Sequence, residues 1–252
     1  MLNNHRYRPS SITHGGIRSA LTDEQLRKLE AASRRRSFKA GELIFKEGDK
    51  PAHTFAVISG ALKLTKVHPD GEEHIIGLMF ADDLLCGTFK PRHTCSAEAA
   101  TDLELCAIPV ETLSGLLDEA PQLERVLFQA ALTEHEAYND WMLLLRGCTA
   151  YQRVAGFLGL LAKRVLPKAA VSQNDGSVPV QFTLPLSRAE IAGFLDITIE
   201  TVSRQLTLMK KKSVIELPSS RDSREVIVPD VWRLGAQAVN GFSGSEGPAM
   251  LQ

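Results

Sequence analysis

The chain has 252 residues, 44% of them hydrophobic and 23% charged, which excludes fibrous, low-complexity and intrinsically disordered classes. The formal net charge of −1 hides an asymmetry: residues 1–145 carry 16 Lys and Arg against 21 Asp and Glu, whereas residues 146–252 carry 13 against 9. A basic C-terminal half in an otherwise acidic chain points to an anionic partner. No run approaches the about 18 apolar residues that span a bilayer. The opening MLNNHRYRPSS lacks the apolar segment of a secretory signal. The four cysteines (Cys86, Cys95, Cys106 and Cys148) form no CxxC pair and no dense framework, which fits a reducing compartment. A soluble, cytoplasmic protein with no membrane partner is expected.

Residues 1–20 are polar and aperiodic, and read as a flexible leader. Thr22 followed by Gln25 is a capping-box pair, and Leu26, Leu29 and Ala32 continue at helical spacing until the basic cluster Arg34, Arg35 and Arg36. From Ser37 to Pro109 the period changes. Apolar runs at 43–45, 55–58, 62–67, 74–80 and 103–108 are separated by turn signals at 40–41, 47–49, 59–60 and 69–71. Short strands with such punctuation predict an all-β roll or barrel.

Helical periodicity returns at Val110 and lasts to Arg146. Pro121, the one proline in this stretch, belongs at the start of a long helix. Leu127, Ala131, His135, Tyr138, Met142 and Leu145 then recur at steps of 4, 4, 3, 4 and 3, a coiled-coil-like seam. Leu123, Ala130, Ala137 and Leu144 offer a second apolar face. A helix apolar on both faces packs its own domain on one side and a partner on the other, so a homodimer is expected. Residues 150–166 form another amphipathic helix ending at Pro167, and 180–184 read as a strand. The Gly/Ser-rich stretch 239–252 reads as a flexible tail.

The segment 186–217 carries the functional signal. Ser187 and Glu190 form a capping box, and Ile191, Phe194 and Leu195 give a short apolar face. Thr198 caps a second helix that turns Val202, Leu206 and Met209 inward. A helix of about 8 residues, a tight connection and one of about 13 make a helix-turn-helix. Its second helix enters the major groove of DNA. Glu200, Ser203 and Arg204 share the outward face at i, i+3 and i+4. Arg presents a bidentate fork to guanine, and Glu accepts from the cytosine amino group. A Glu–Arg pair on a solvated helix has the same spacing. The setting favours DNA: Lys210, Lys211 and Lys212 close the helix, and strands at 214–217 and 225–228 flank a turn with Arg221 and Arg224, as in a wing. Ser187, Arg188, Thr198, Thr201, Lys211 and Arg221 are candidates for phosphate contacts.

With these motifs in order, residues 20–236 resemble the CRP/FNR superfamily of bacterial transcription regulators. The stretch FKAGELIFKEGD at 38–49 resembles that family's first roll strands, 55–64 its next hairpin, and CAIPVETL from Cys106 its roll exit. Glu200-x-x-Ser203-Arg204 matches the reading helix of the FNR branch. The resemblance implies an α+β fold: a cyclic-nucleotide-binding-like β-roll (21–117), a dimerisation helix (118–147) and a winged helix-turn-helix (148–238). It also implies a homodimer that binds double-stranded DNA at TTGAT/ATCAA palindromes and recruits RNA polymerase, and no enzyme activity. Two departures bear on cofactors. FNR proteins hold an iron–sulfur cluster on three N-terminal cysteines and one at the roll exit, of which only Cys106 is present here. The cyclic-AMP branch uses Gly-Glu and Arg-Ser pairs, where this chain has DLLCGT at 83–88 and His93-Thr94. No iron–sulfur cluster, no cyclic AMP and no metal is therefore expected. The alternatives are a ligand- or redox-sensing CRP-like regulator, controlled by a small molecule, haem or thiol oxidation, and a scaffold that binds polymerase without DNA.

Overall fold

The computed structural model describes residues 16–85, 90–145, 149–165, 179–218 and 224–239. The chain divides into two units, residues 1–137 and 138–252. The N-terminal unit runs α1 (Ile17–Ala20), α2 (Asp23–Ala32), β1 (Arg34–Phe38), β2 (Leu43–Phe45), β3 (His53–Ser59), β4 (Ala61–Val67), β5 (Glu73–Phe80), β6 (Leu84–Leu85), β7 (Ser96–Ala99), β8 (Leu103–Pro109) and α3 (Val110–Glu119). Helix α4 (Pro121–Leu145) crosses the unit boundary. The C-terminal unit continues with α5 (Ala150–Val165), β9 (Val180–Thr183), α6 (Arg188–Leu195), α7 (Ile199–Lys211), β10 (Glu225–Val228) and α8 (Val231–Val239). No described helix is long and apolar enough to cross a membrane.

Two antiparallel four-stranded sheets, ordered β1-β8-β3-β6 and β2-β7-β4-β5, form the expected roll. Strands β3 and β8 are buried on both faces, which is why they read as continuous apolar runs. Phe55, Val57, Leu103, Leu105 and Ala107 point between the sheets, where they meet Phe45, Leu62, Met79, Ala97 and Ala99 of the second sheet. The intervening residues Ala56, Cys106 and Ile108 point the other way. They pack against Leu29, Leu113, Leu116, Leu123 and Leu127 of the helices.

Three boundaries differ from expectation. Ile17 and Ala20, assigned to the leader, are buried in that helix-facing core, so ordered structure begins within 1–20. The arginine cluster 34–36 belongs to strand β1, paired with β8 from Arg34↔Ala107 to Phe38↔Leu103. Propensity gave no strand signal there because the residues are exposed and charged, as suits an edge strand. Each arginine has local work: Arg34 donates to the carbonyls of Ala31 and Ser33 at the end of α2, Arg35 pairs with Glu104, and Arg36 lies over the Phe38 ring. The short strands β6 and β7 also lacked an apolar run long enough to register.

The third difference concerns α4. Leu127, expected in the seam, is only 6% exposed and lies in the core of its own unit. Its neighbour Phe128 is 65% exposed. The outward positions are Phe128, Ala131, Leu132, His135, Tyr138 and Met142; the side chain of Leu145 lies outside the described residues. With Leu132 flanking it, the stripe Phe128, Ala131, His135, Tyr138 and Met142 steps 3, 4, 3, 4, the regular alternation that keeps a seam on one side of a helix.

Residues 55–64, expected as a hairpin, instead pass from one sheet to the other, since β3 and β4 do not pair; the connection turns on Gly60, whose φ is +85°. A Cβ there would collide with the carbonyl oxygen of Asp102 and crowd the backbone of Leu103. Gly60→Ala is therefore expected to destabilise the roll by about 1–3 kcal/mol, measured by urea unfolding. Gly71→Ala has equally positive φ but open space around it, and should cost less.

Candidate nucleic-acid interface

Each helix of the helix-turn-helix begins on the cap that its sequence announces. Ser187 Oγ accepts from the Glu190 amide and the Glu190 carboxylate accepts from the Ser187 amide, the reciprocal box that starts α6. Thr198 Oγ1 accepts from the Thr201 amide at the start of α7. Between them the three-residue connection passes through Asp196, at φ 52° and ψ 53°. Aspartate is among the few non-glycine residues that tolerate this left-handed conformation. Helix α5 supplies the support. Its N-terminus carries a capping box absent from the sequence reading, Thr149 with Gln152. Phe157 packs edge-on against Phe194 of α6. Arg153 reaches the turn itself, donating from one Nη to the carbonyls of Leu195 (2.8 Å) and Asp196 (3.1 Å).

Helix α7 buries Val202, Leu206 and Met209, as the spacing requires. Its opposite face exposes Glu200 and Arg204, with Ser203 half-buried between them. The expected alternative, an intrahelical Glu–Arg pair, is absent: among the described residues Arg204 has no ion pair. The Glu200 carboxyl is instead held below the usual carboxylate range by its own backbone N–H and by the Thr198 hydroxyl. Ser203 Oγ accepts a hydrogen bond of 3.0 Å from Arg188 on α6, so these two predicted site residues meet. Thr198 and Thr201 hydroxyls lie 3.1 Å apart. Ser187 and Thr198 are thus committed to caps, which accounts for them without a phosphate.

The three lysines that close α7 differ. Lys210 donates to the Leu217 carbonyl and Lys212 lies 4.8 Å from the centre of the Tyr151 ring. Lys211 is exposed and has no such partner among the described residues. The strand expected at 214–217 is reduced to a single bridge, Glu216 with Ile227, while β10 pairs on its other side with β9 along Glu225↔Thr183 to Val228↔Val180. Arg221 lies outside the described residues.

The sequence pattern of the Crp-like helix-turn-helix domain matches residues 152–236, and that of the cyclic nucleotide-binding domain matches residues 35–120. A probable transcriptional activator of Rhizobium leguminosarum is 43% identical over 221 residues, 88% of each chain. The chain belongs to the CRP/FNR family of transcription regulators. Another member, the transcriptional activator FnrL of Cereibacter sphaeroides, is 32% identical over 240 residues, covering 95% of this chain and 94% of FnrL. The solved structure of FixK2 from Bradyrhizobium japonicum superposes with a TM-score of 0.70 at 25% identity, covering 85% of this chain and 99% of that one.

Two cofactors of CRP/FNR proteins can be tested against the residues here. A cluster needs thiolates that converge on one centre. Cys106 is wholly buried between Ala56 and Ile108 in the helix-facing core, and among the described residues neither it nor Cys95 joins a group of converging ligands. Cys86 and Cys148 lie outside the described residues. The described cysteines do not fit a cluster. A cyclic nucleotide needs a cation for its phosphate. His93 stands where the cyclic-AMP branch has arginine. Its ring stacks on Phe45 at 3.6 Å between centres, and burial pushes its pKa below the usual imidazole value. A neutral imidazole gives that phosphate no charge. The neighbouring Arg92 donates to the Gly48 carbonyl. His93 therefore does not supply the charge of an arginine, and residues 86–89 of the other stretch lie outside the described residues.

The Glu200 environment makes a measurable prediction. Its lowered folded pKa means that the stabilisation it gains is complete above the unfolded pKa and is lost as pH falls through the folded one. Thr198→Val removes the hydroxyl, so carbon-13 NMR titration should find the Glu200 carboxyl shifted up toward the ordinary value. An unchanged titration would mean that the backbone N–H alone sets it.

Proposed function

We propose that this CRP/FNR protein is a cytoplasmic homodimer that activates transcription at TTGAT/ATCAA palindromes without a resident cofactor, contacting RNA polymerase from DNA. The observation that carries the reading is the free Arg204–Glu200 face of α7, with Ser203 tethered to Arg188 beside it. Arg204 offers its fork to guanine O6 and N7 and Glu200 accepts from cytosine N4 of the same pair, while Ser203 contacts the adjacent thymine side. Lys211 supplies phosphate charge. The exposed stripe Phe128, Leu132, Tyr138 and Met142 is the dimer seam, since a two-fold contact there removes apolar surface from water. Polymerase contact rests on the naming of the relatives as transcriptional activators.

The roll's match to the cyclic nucleotide-binding domain supports a second reading, in which a small-molecule effector or thiol oxidation controls DNA affinity. The two readings separate on protein purified in air, assayed with and without reductant and cyclic nucleotides. The first expects a dimer whose affinity none of these changes.

The decisive test is binding to a TTGAT palindrome and a scrambled site. Arg204→Ala should cost about 1–3 kcal/mol per half-site and relax discrimination at the G·C pair. Lys211→Ala should weaken both sites alike and reduce the salt slope by about 1. Tyr138→Asp places like charges across a two-fold seam, so sedimentation should show monomer and DNA affinity should fall with it. A wild-type monomer on DNA, or undiminished site discrimination in Arg204→Ala, refutes the assignment.

A further inference from the structure

We propose that the tip of the β4–β5 hairpin is a binding site for a divalent transition-metal ion of the zinc class, formed by Asp70, Glu72 and His74 with His68 completing the donor set. Ligand atoms of Asp70, Glu72 and His74 all lie within 4.8 Å of one another. His68 stands beside them, its Nδ1 2.7 Å from Asp70 Oδ2 and its ring edge-on to that of His74 at 5.8 Å. Two imidazoles and two carboxylates within seven residues are a borderline-soft set, suited to zinc and poorly suited to calcium or magnesium, which prefer oxygen alone.

The backbone holds this set together independently of any ion. Strands β4 and β5 are in register up to the turn, Lys66↔His74 and Val67↔Glu73. The His68 amide donates to the Glu72 carbonyl and the Gly71 amide to the His68 carbonyl, each at 2.8 Å. Strand alternation sends Glu73 to the opposite face, where its carboxylate accepts from Thr65, and leaves Glu72 and His74 on one side. His68 Nδ1 faces Asp70 Oδ2 across a hydrogen bond that an ion would replace, so this nitrogen is the one that joins Asp70 in the donor set. Zinc bonds of about 2.0–2.1 Å place tetrahedral donors about 3.4 Å apart, so the side chains must move inward. All four are exposed, and rotamer changes at the tip disturb no core residue. The site is separate from the proposed reading of DNA.

The test is zinc titration of the full-length protein without a histidine tag, against a chromogenic chelator. The wild type should bind one equivalent more than His74→Ala. His68→Ala and Asp70→Asn should weaken it by about tenfold or more, and calcium should not compete. Zinc on the cysteines would persist in every variant, so the difference between proteins reports the hairpin alone. Amide NMR of the wild type should show shifts centred on residues 68–74. Equal stoichiometry and affinity in wild type and His74→Ala, or spectra unmoved at the hairpin, overturns the proposal. Unchanged melting temperatures of the metal-free variants verify that the fold is retained.

Discussion

The two-faced burial of β3 and β8 is the constraint on which the N-terminal unit depends. One face of each strand closes the roll and the other seats α1 to α4. Deleting a side chain from either face opens a cavity in one core or the other, at a cost of about 2–5 kcal/mol for a leucine. The same constraint reaches the function through α4. Because Cys106 and Ile108 recruit Leu123 and Leu127, those side chains are spent inside the unit. The helix then presents the stripe that starts at Phe128, and its 3-4 alternation follows from which residues the roll has already taken.

In the C-terminal unit the equivalent anchor is Arg153. The left-handed turn at Asp196 leaves carbonyls at the end of α6 without helical partners, and the Arg153 guanidinium bonds two of them. A charged donor near a helix C-terminus also complements its dipole. The turn fixes the direction in which α7 leaves, so a residue on α5 sets the direction of the face that carries Glu200 and Arg204. Phe157 against Phe194 adds the apolar half of the same contact.

Much of this was legible from residues alone. Capping chemistry is local, so Thr22–Gln25, Ser187–Glu190 and Thr198 located helix starts to the residue. Short apolar runs bounded by turn signals located β2, β3, β4, β5 and β8. What escaped was decided by tertiary neighbours. Strand β1 is polar and owes its conformation to pairing with β8, and α1 owes its order to burial of Ile17 and Ala20. The choice between Leu127 and Phe128 could not be read from spacing, since both fit a helical stripe and only the roll distinguishes them. At the reading helix the sequence placed Glu200, Ser203 and Arg204 on one face. The link from Arg188 to Ser203 was invisible, because it joins two helices across the turn.

The ionisation of Glu200 has a consequence for how the proposed reading works. An acidic side chain that approaches DNA is repelled by phosphate wherever it finds no donor. An exposed carboxylate is charged at neutral pH, and its own backbone N–H and the Thr198 hydroxyl move Glu200 further from protonation. As an acceptor alone, it gains a partner where a cytosine amino group is presented and faces another acceptor at the oxygen of thymine. Glu200 therefore contributes more by penalising wrong pairs than by tightening the right one, while Arg204 supplies the attraction. The net charge of −1 averages an acidic N-terminal half over a basic C-terminal one, and the attraction of that basic half to phosphate is the same on any DNA sequence. In the proposed reading discrimination comes from this face of α7, where one side chain attracts and its neighbour on the same turn repels.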